Sequence, residues 1–410
     1  MINFRILFWL NGACTLGLYH GDLGALEEKW FEQYLDHFDP FNNSTFLMRY
    51  YEFDEFFQND GPLLLEIGGE VTIEPSTIRY SPVYFLAKKL SALIVLLEHR
   101  YYGKSSPFEN ATQNYDYLST EQALEDVAYF IKTYKNATPG LQSSKVAVFG
   151  CSYAGNLATW MRLKYSHLVN AAWASSAPLR IVLDFYQYYE VAGEIYSNVS
   201  SECIAIIRQG YREIKSMLLS PEDERTVRET FEDWECGNVT EMSNYDILAT
   251  VRTVLSDQYN KPKHGVESCK FLQSKNSTTT CFRQLSAFVL SIAGEVCFDD
   301  DESNVLAWSY QTCTQFGYSF TTTSHNQPFR DTYSVSEADS KFCSNTFGAE
   351  FNLKNLERSI ARMNRVYGGT SLNITKVVTI QGKQDPWNKL GLQTSPNEEA
   401  PVFLIPGFCS

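Results

Sequence analysis

The chain has 410 residues, of which 44% are hydrophobic and 20% charged, and its formal net charge of −14 gives a pI near 5.0. A chain of this length buries a large core and is long for one domain, so we expect a main domain with a sizeable insertion. The acidic balance argues against nucleic acid as a partner, because phosphate contacts need clustered Lys and Arg and no basic run occurs.

The first residues have the pattern of a secretory signal, predicted over 1–24. Arg5 precedes the apolar run 6–10, and small residues follow through Leu18. The run is too short to span a bilayer, and no other uninterrupted apolar stretch of about 18 residues occurs, so we expect no membrane span. The expected location is the secretory pathway, either lysosomal or endosomal or extracellular. Eight N-x-S/T acceptors support that route and are predicted glycosylation sites: Asn42, Asn43, Asn110, Asn136, Asn198, Asn238, Asn276 and Asn373.

The first part of the chain alternates apolar strands with helices. Continuous apolar strands separated by helices are typical of a parallel sheet covered on both faces, which predicts an α/β fold. Thr120 is the expected N-cap of the second helix. Strands are predicted at 63–67, 93–98, 146–151 and 169–178, and helices at 83–90, 119–134 and directly after Ser152.

The strand 146–151 runs into a turn of small residues, the pattern of a nucleophile elbow. Such a turn lifts a serine Oγ above the sheet, so Ser152 is the candidate nucleophile. Gly150 fits the usual G-x-S-x-G signature, while Ala154 stands in for its last glycine. A purely structural turn is the alternative.

A second small-residue loop, Gly68-Gly69-Glu70, follows the strand 63–67. An N–H of this loop and the N–H of Tyr153 are the predicted oxyanion donors, because missing side chains allow a close approach. A tight turn alone would also explain the two glycines.

The residues 181–310 are polar, rich in Cys and Tyr, and predicted to be helical, notably at 202–219 and 245–259. We interpret them as a cap inserted between the two parts of an α/β-hydrolase domain, 25–180 and 311–410. The sheet is predicted to resume at 376–382 and 401–407.

Ten cysteines suggest disulfides, because a secreted chain matures in an oxidising compartment. Cys14 lies in the signal, Cys343 and Cys409 lie beyond the cap, and Cys151 is expected to be a small buried residue. No metal and no cofactor are expected, because the spacing typical of zinc ligands is missing. The six cysteines that lie close together are Cys203, Cys236, Cys269, Cys281, Cys297 and Cys313.

Asp385 is the candidate acid of a Ser, Asp, His triad, because it follows the predicted strand 376–381 in the chain order of this fold. A structural Asp-Pro turn is the alternative. The difficulty is the base, since no histidine follows Asp385. The six histidines are expected to be structural and hydrogen-bonded: His20, His37, His99, His167, His264 and His325. A displaced general base is the alternative, and His99 and His325 are the most plausible candidates for it.

Together these motifs resemble the lysosomal Pro-X carboxypeptidase and dipeptidyl-peptidase II family of serine peptidases, in particular its thymus-specific serine protease branch. The resemblance implies Ser152 as nucleophile, Asp385 as acid, a helical cap, and a preference for proline beside the scissile bond. It rests on six motifs in the right order: Trp30–Phe38, Gly68–Glu70, Glu98–Ser105, Gly150–Gly155 with Ala174–Pro178, Tyr310–Cys313 and Gly382–Trp387.

Two departures from the family pattern matter. Relatives carry Gly-x-x-His-Cys after the last strand, whereas this chain reads Gly407, Phe408, Cys409, Ser410. Truncation, splicing or a true catalytic loss would each explain the missing histidine. Gln315 stands where relatives often carry Glu, which puts recognition of a charged substrate terminus by that residue in doubt.

The sequence therefore predicts a serine exopeptidase that acts on short peptides through an acyl-enzyme and is impaired in this form. A catalytically inactive homologue that binds peptides or proteins is the alternative, and a lipase or esterase is disfavoured by the peptidase motifs. The direction of cleavage is open, as is association of two copies into a homodimer.

Overall fold

The computed structural model describes residues 26–108, 114–232, 234, 237–256, 264–274, 279–293, 301–330 and 338–406. The predicted signal lies outside these residues, as do Asn110, Asn276 and the segment around Phe408. No helix in the described part of the chain is both long enough and apolar enough to cross a bilayer.

An eight-stranded sheet forms the centre of the described structure, in the order β1-β2-β4-β3-β5-β6-β9-β10. Strand β2 runs antiparallel to both of its neighbours, and all the other pairs in this sheet are parallel. This order, with its reversed second strand, is that of the α/β-hydrolase fold, as the sequence predicted. The eight strands of this sheet are β1 Lys29–Tyr34, β2 Thr45–Phe53, β3 Leu63–Ile67, β4 Leu93–Leu97, β5 Val146–Cys151, β6 Ala171–Ser175, β9 Val377–Gly382 and β10 Val402–Ile405. A separate two-stranded parallel sheet is formed by β7 Val182–Asp184 and β8 Gly317–Ser319.

The sheet is apolar on both faces because helices cover both. In β3, Leu63 and Leu65 belong to the larger core cluster, while Leu64 between them belongs to the smaller one. Val83 of α1 packs in the smaller cluster, and Leu157 of α3 packs in the larger. The described helices are α1 Pro82–Leu90, α2 Thr120–Ala137, α3 Tyr153–Lys164, α4 Gln187–Val199, α5 Ser201–Met217, α6 Pro221–Thr230, α7 Asn244–Ser256, α8 His264–Gln273, α9 Cys281–Ala293, α10 Glu302–Gln311, α11 Ala338–Phe347 and α12 Leu353–Tyr367.

The N-cap of α2 differs from the prediction by one residue. Ser119, not Thr120, has extended backbone angles, and its side chain accepts a hydrogen bond from the N–H of Gln122. Thr120 is instead the first helical residue, and its own N–H donates to the side chain of Gln315. Thr120 is therefore bonded to a buried side chain from a distant segment, and Ser119 is the N-cap instead.

The segment between β7 and α10 is helical, with α4 to α9 in succession among its described residues. The disulfide Cys203–Cys269 joins α5 to α8, and Cys313–Cys343 joins the turn after α10 to α11. These two bridges agree with the expected disulfides, but Cys281 is a free thiol. The expectation for Cys151 was wrong, because Cys151 is disulfide-bonded.

Candidate active site

The turn between β5 and α3 holds Ser152 in a strained backbone conformation, with φ 56° and ψ −126°. A Cβ added at Gly150 would lie 2.0 Å from the carbonyl oxygen of Ala154, so only glycine allows the first turn of α3 to fold back onto the strand. Strain at a non-glycine residue persists where the surrounding structure fixes it, and it is common at functional sites. Ser152 itself is only half-buried.

Ser152 follows β5 and Asp385 follows β9, and β6 lies between these two strands in the sheet. In the register, Cys151 pairs with Ser175 of β6, and Ser175 pairs with Ile380 of β9. The N–H of Ser152 donates to the carbonyl oxygen of Ser175 at 2.9 Å. The two predicted residues therefore lie at the same edge of the sheet, which is where parallel sheets place ligands.

Asp385 is buried, and one of its two carboxylate oxygens lacks a partner. Oδ1 accepts the N–H of Trp387 at 2.9 Å, whereas Oδ2 accepts no hydrogen bond among the described residues. Burial raises the pKa of Asp385 to about 6. The nearby Ser176 hydroxyl partly opposes that rise, but the hydroxyl forms no hydrogen bond of normal geometry. A buried acceptor without a donor is costly, and an imidazole N–H is the donor that a triad would supply.

Among the described histidines, His99 comes nearest to the elbow through its contacts, but both nitrogens of its ring already have hydrogen-bond partners. Nδ1 lies 2.7 Å from the carbonyl oxygen of Arg100, and Nε2 lies 3.2 Å from the hydroxyl of Tyr153. Burial lowers the pKa of His99 to about 4. This histidine is therefore a structural one.

The other described histidines make no recorded hydrogen bond to Ser152 or Asp385. His37 Nε2 lies 2.8 Å from Asp126 Oδ1, beside the bidentate ion pair of Arg100 with Asp126. His264 contacts Tyr196 in the helical segment, while His167 and His325 are exposed.

The loop after β3 brings a carboxyl group to the nucleophile. A Cβ at Gly68 would lie 2.8 Å from the carbonyl oxygen of Leu97, so this position requires glycine. Glu70 Oε1 lies 3.4 Å from Ser152 Oγ, which donates the hydrogen bond. Burial raises the pKa of Glu70 to about 7. The sequence pointed only to a backbone N–H of this loop; an acid directly after two glycines was the available signal for the side chain.

Tyr153 connects the elbow to two other motifs through its hydroxyl. Besides His99, this hydroxyl contacts Gln311 Nε2 at 3.1 Å, and Gln311 Oε1 accepts the hydroxyl of Tyr102 at 2.5 Å. All four side chains are buried. This network positions the residue whose N–H is the predicted oxyanion donor.

An aromatic wall, defined as Phe185, Tyr188, Tyr318, Phe320 and Trp387, stands beside Asp385. The rings of Phe185, Tyr318 and Phe320 lie 5.3 to 5.4 Å from that of Trp387. Phe320 is half-buried, so the wall is not wholly enclosed. Sequence reasoning missed this wall because its members are far apart in the chain.

The side chain of Gln315 is held by hydrogen bonds to the first residues of α2. Its Oε1 accepts the N–H of Thr120 at 2.9 Å, and its Nε2 donates to Glu121 Oε2 at 3.0 Å. Gln315 is buried at the start of α2 and carries no charge that could meet a substrate terminus.

Most of the described asparagines in N-x-S/T patterns are exposed. Asn42 is half-buried, and five others are exposed: Asn43, Asn136, Asn198, Asn238 and Asn373. Within the described ranges no group of three or more His, Cys, Asp or Glu side chains could hold a metal ion.

Comparison with known proteins identifies relatives over most of the chain. The sequence model of the family described as "Serine carboxypeptidase S28" matches residues 33–410. The thymus-specific serine protease of Mus musculus is 31% identical over 426 residues, which cover 95% of this chain and 83% of the relative. The lysosomal Pro-X carboxypeptidase of Mus musculus is 27% identical over 399 residues, covering 88% and 79%.

Among solved structures, the proline iminopeptidase of Mycobacterium smegmatis aligns over 92% of this chain and 91% of its own. Its sequence identity is 12% and the TM-score is 0.40, so we infer nothing from this alignment.

Proposed function

The chain belongs to the serine carboxypeptidase S28 family and is a serine-type peptidase, and we propose that it is an exopeptidase that cleaves short peptides through an acyl-enzyme on Ser152. The observation that carries this proposal is the strained, half-buried Ser152 at the same sheet edge as the buried Asp385. The family match argues against the lipase or esterase alternative.

In this proposal Ser152 Oγ attacks the scissile carbonyl carbon. The N–H of Tyr153 and an N–H of the loop 68–70 stabilise the oxyanion that forms, which in other hydrolases is worth about 10²–10³ in rate for one donor. Asp385 orients and stabilises the imidazolium of a base, because its Oδ2 is free to accept an N–H.

The proposed substrates carry proline beside the scissile bond. The aromatic wall supports this preference, because a compact, apolar proline ring packs well against aromatic faces, and Phe320, whose ring lies 5.4 Å from that of Trp387, is the half-buried member of the wall. The lysosomal relative is named for Pro-X cleavage, and it supports the same preference. It also supports a location in the secretory pathway, in agreement with the exposed N-x-S/T acceptors.

The base limits the activity of these 410 residues. No histidine follows Asp385 in the sequence, and the described histidines are exposed or engaged elsewhere. Loss of one triad member removes most of the rate and leaves binding and oxyanion stabilisation. We therefore propose near-background turnover for the 410-residue polypeptide.

A non-catalytic peptide-binding protein is the second candidate. The engagement of His99 favours it, because both of its ring nitrogens are held by Arg100 and Tyr153, so the histidine nearest to the elbow supplies no base. In that case proline-containing peptides bind without being cleaved.

A chimera tests the proposal. It carries, after Gly407, the C-terminal segment of the mouse thymus-specific serine protease, and its control has that segment's histidine replaced by alanine. We expect the chimera to cleave proline-containing dipeptide and tripeptide substrates, and the control and the unextended chain to stay near background. Substrates blocked at either end then give the direction of cleavage. Fast Ser152-dependent turnover by the unextended chain would contradict the proposed impairment, and an inactive but peptide-binding chimera would favour the second candidate.

A further inference from the structure

The side chain of Glu70 has no role in the proposed mechanism, which uses only backbone groups of its loop. Yet Glu70 is 5% exposed, and its carboxyl accepts the hydroxyl of Ser152. A carboxylate beside an oxyanion site would repel the charge that develops there. A buried acid at this place therefore requires an explanation of its own.

Glu70 is the titratable side chain with a recorded hydrogen bond to Ser152 Oγ among the described residues. Asp385, the other acid of the site, directs Oδ1 to a backbone N–H. His99 is turned to Arg100 and Tyr153. Of these groups, Glu70 is the one placed to receive the serine proton.

The surroundings of Glu70 are buried and neutral. Burial raises the pKa values of three nearby phenols, those of Tyr102, Tyr153 and Tyr318. The negative charge of Glu70 contributes to the same rise. Burial raises the pKa of Glu70 to about 7, and hydrogen bonds from its own N–H and from Ser152 oppose that rise. A general base is most effective when its pKa lies near the working pH.

We propose that Glu70 is a catalytic proton acceptor for Ser152, one that supports slow acylation without a histidine. The inference rests on the proposed role of Ser152 as nucleophile. As the Ser152 O–H bond breaks, the proton moves to Glu70 Oε1, and Oγ forms a bond to the electrophilic atom. With a peptide, the C=O π pair moves to oxygen, and the C–N bond then breaks as the C=O bond re-forms and Glu70 gives the proton to the leaving amine. With a fluorophosphonate the Oγ–P bond forms, the P–F bond breaks, and fluoride leaves with the bonding electron pair.

The test is the rate of fluorophosphonate labelling of the full 410-residue chain between pH 5 and 9. The wild-type rate should rise with pH through about 7, because the carboxylate and not the acid accepts the proton. Glu70→Gln keeps an acceptor oxygen but cannot take the proton, so we expect the rate at pH 8 to fall about 100-fold and the rise to vanish.

A matched control is Glu66→Gln, four residues earlier. Burial raises the pKa of Glu66 to about 7 as well, but Glu66 lies within β3 and has no recorded contact with Ser152. This variant should keep the wild-type rate and pH profile. Glu70→Asp keeps a carboxylate that is one methylene shorter, and it should label at an intermediate rate with the rise retained. It serves as the test if Glu70→Gln does not fold, as judged by thermal melting.

The outcomes separate this inference from the proposed function. Labelling that persists in Ser152→Ala would overturn the nucleophile assignment and this inference with it. Labelling that needs Ser152 but is equally fast in Glu70→Gln, with an unchanged pH profile, would overturn the role of Glu70 alone. A wild-type chain that does not label at any pH would also overturn it, because the acceptor would then support no acylation.

Discussion

The hydroxyl of Tyr153 and Nε2 of His99 lie 3.2 Å apart, so the residue after the nucleophile is hydrogen-bonded to the histidine that comes nearest to the elbow. The other ring nitrogen of His99 faces the carbonyl oxygen of Arg100. Both sites of the imidazole are therefore used in holding the elbow, and neither is left to take a proton from Ser152.

His99→Phe should lower stability without removing the reactivity of Ser152. The change removes the partner of the buried Arg100 carbonyl oxygen, while the Tyr153 hydroxyl keeps Gln311, so we expect a loss of about 1–3 kcal/mol in the free energy of unfolding. Denaturant unfolding measures this loss, and fluorophosphonate labelling, with Ser152→Ala as the blank, measures reactivity. Loss of labelling in a variant of unchanged stability would make His99 the base.

The same variant should change how stability depends on pH. The pKa of His99 is lowered from 6.5 to about 4 in the folded protein, so the folded state binds fewer protons than the unfolded state between these values. Its contribution to stability is present above pH 6.5 and is lost as the pH falls toward 4. His99→Phe should therefore lose less stability than the wild type over this window.

Asp385→Asn should stabilise the protein at pH 7. The pKa of Asp385 is raised from 3.8 to about 6, so wild-type stability falls as the pH rises across this window, while the neutral amide avoids ionisation. We expect a gain of about 2–3 kcal/mol at pH 7, from 1.36 kcal/mol per pKa unit, and little change at pH 4. Unfolding at both pH values measures it.

The control for that prediction is Asp126→Asn, which should lower the stability of the protein instead of raising it. Asp126 is also buried, but its ion pair with Arg100 lowers its pKa against the effect of burial. Asp126→Asn leaves the guanidinium without its charged partner, so it should cost about 3–5 kcal/mol at pH 7. Equal effects of the two Asn variants would contradict both assignments.

Alkylation of the folded protein without reductant should modify Cys281 and spare the four cysteines of the described bridges. Cys281 is half-buried, and burial raises its pKa, so the reaction should be slow at neutral pH and faster at pH 9. Peptide mapping by mass spectrometry identifies the modified residue. Replacing Cys203 and Cys269 by Ser should cost about 2–4 kcal/mol.

Trp387→Ala tests the aromatic wall in the chimera that carries a histidine. We expect kcat/KM to fall about tenfold or more for substrates with proline beside the scissile bond, and to fall less for the matched alanine substrates. The control is Trp30→Ala, because Trp30 is 43% exposed on β1, in a different part of the sheet. Equal losses for both substrates in Trp387→Ala would mean that the wall is structural only.

The central strands could be predicted because each is a continuous apolar run, and β4 is buried along its whole length. The elbow was also visible in the sequence, since glycine at 150 and small residues around Ser152 are what the turn needs. Strands β1 and β2 were missed, because their exposed and buried residues alternate and polar side chains interrupt the apolar pattern.

What the sequence could not give are contacts between distant segments. Gln315 meets Thr120 across 195 positions, and Gln311 meets Tyr153 across 158. The aromatic wall and the carboxyl of Glu70 next to Ser152 have the same origin. Such contacts follow from how the strands are ordered in space, and no local periodicity records that order.

The space around Gly150 also bears on how this site can change in evolution. Any side chain at that position would collide with the backbone of Ala154 and push α3 off the sheet. Selection for a folded chain alone therefore retains this glycine, even in a lineage that has stopped cleaving peptides. The hydroxyl of Ser152 is not required by that geometry, so among homologues the loss of this serine, rather than the loss of the elbow glycine, would mark the end of catalysis.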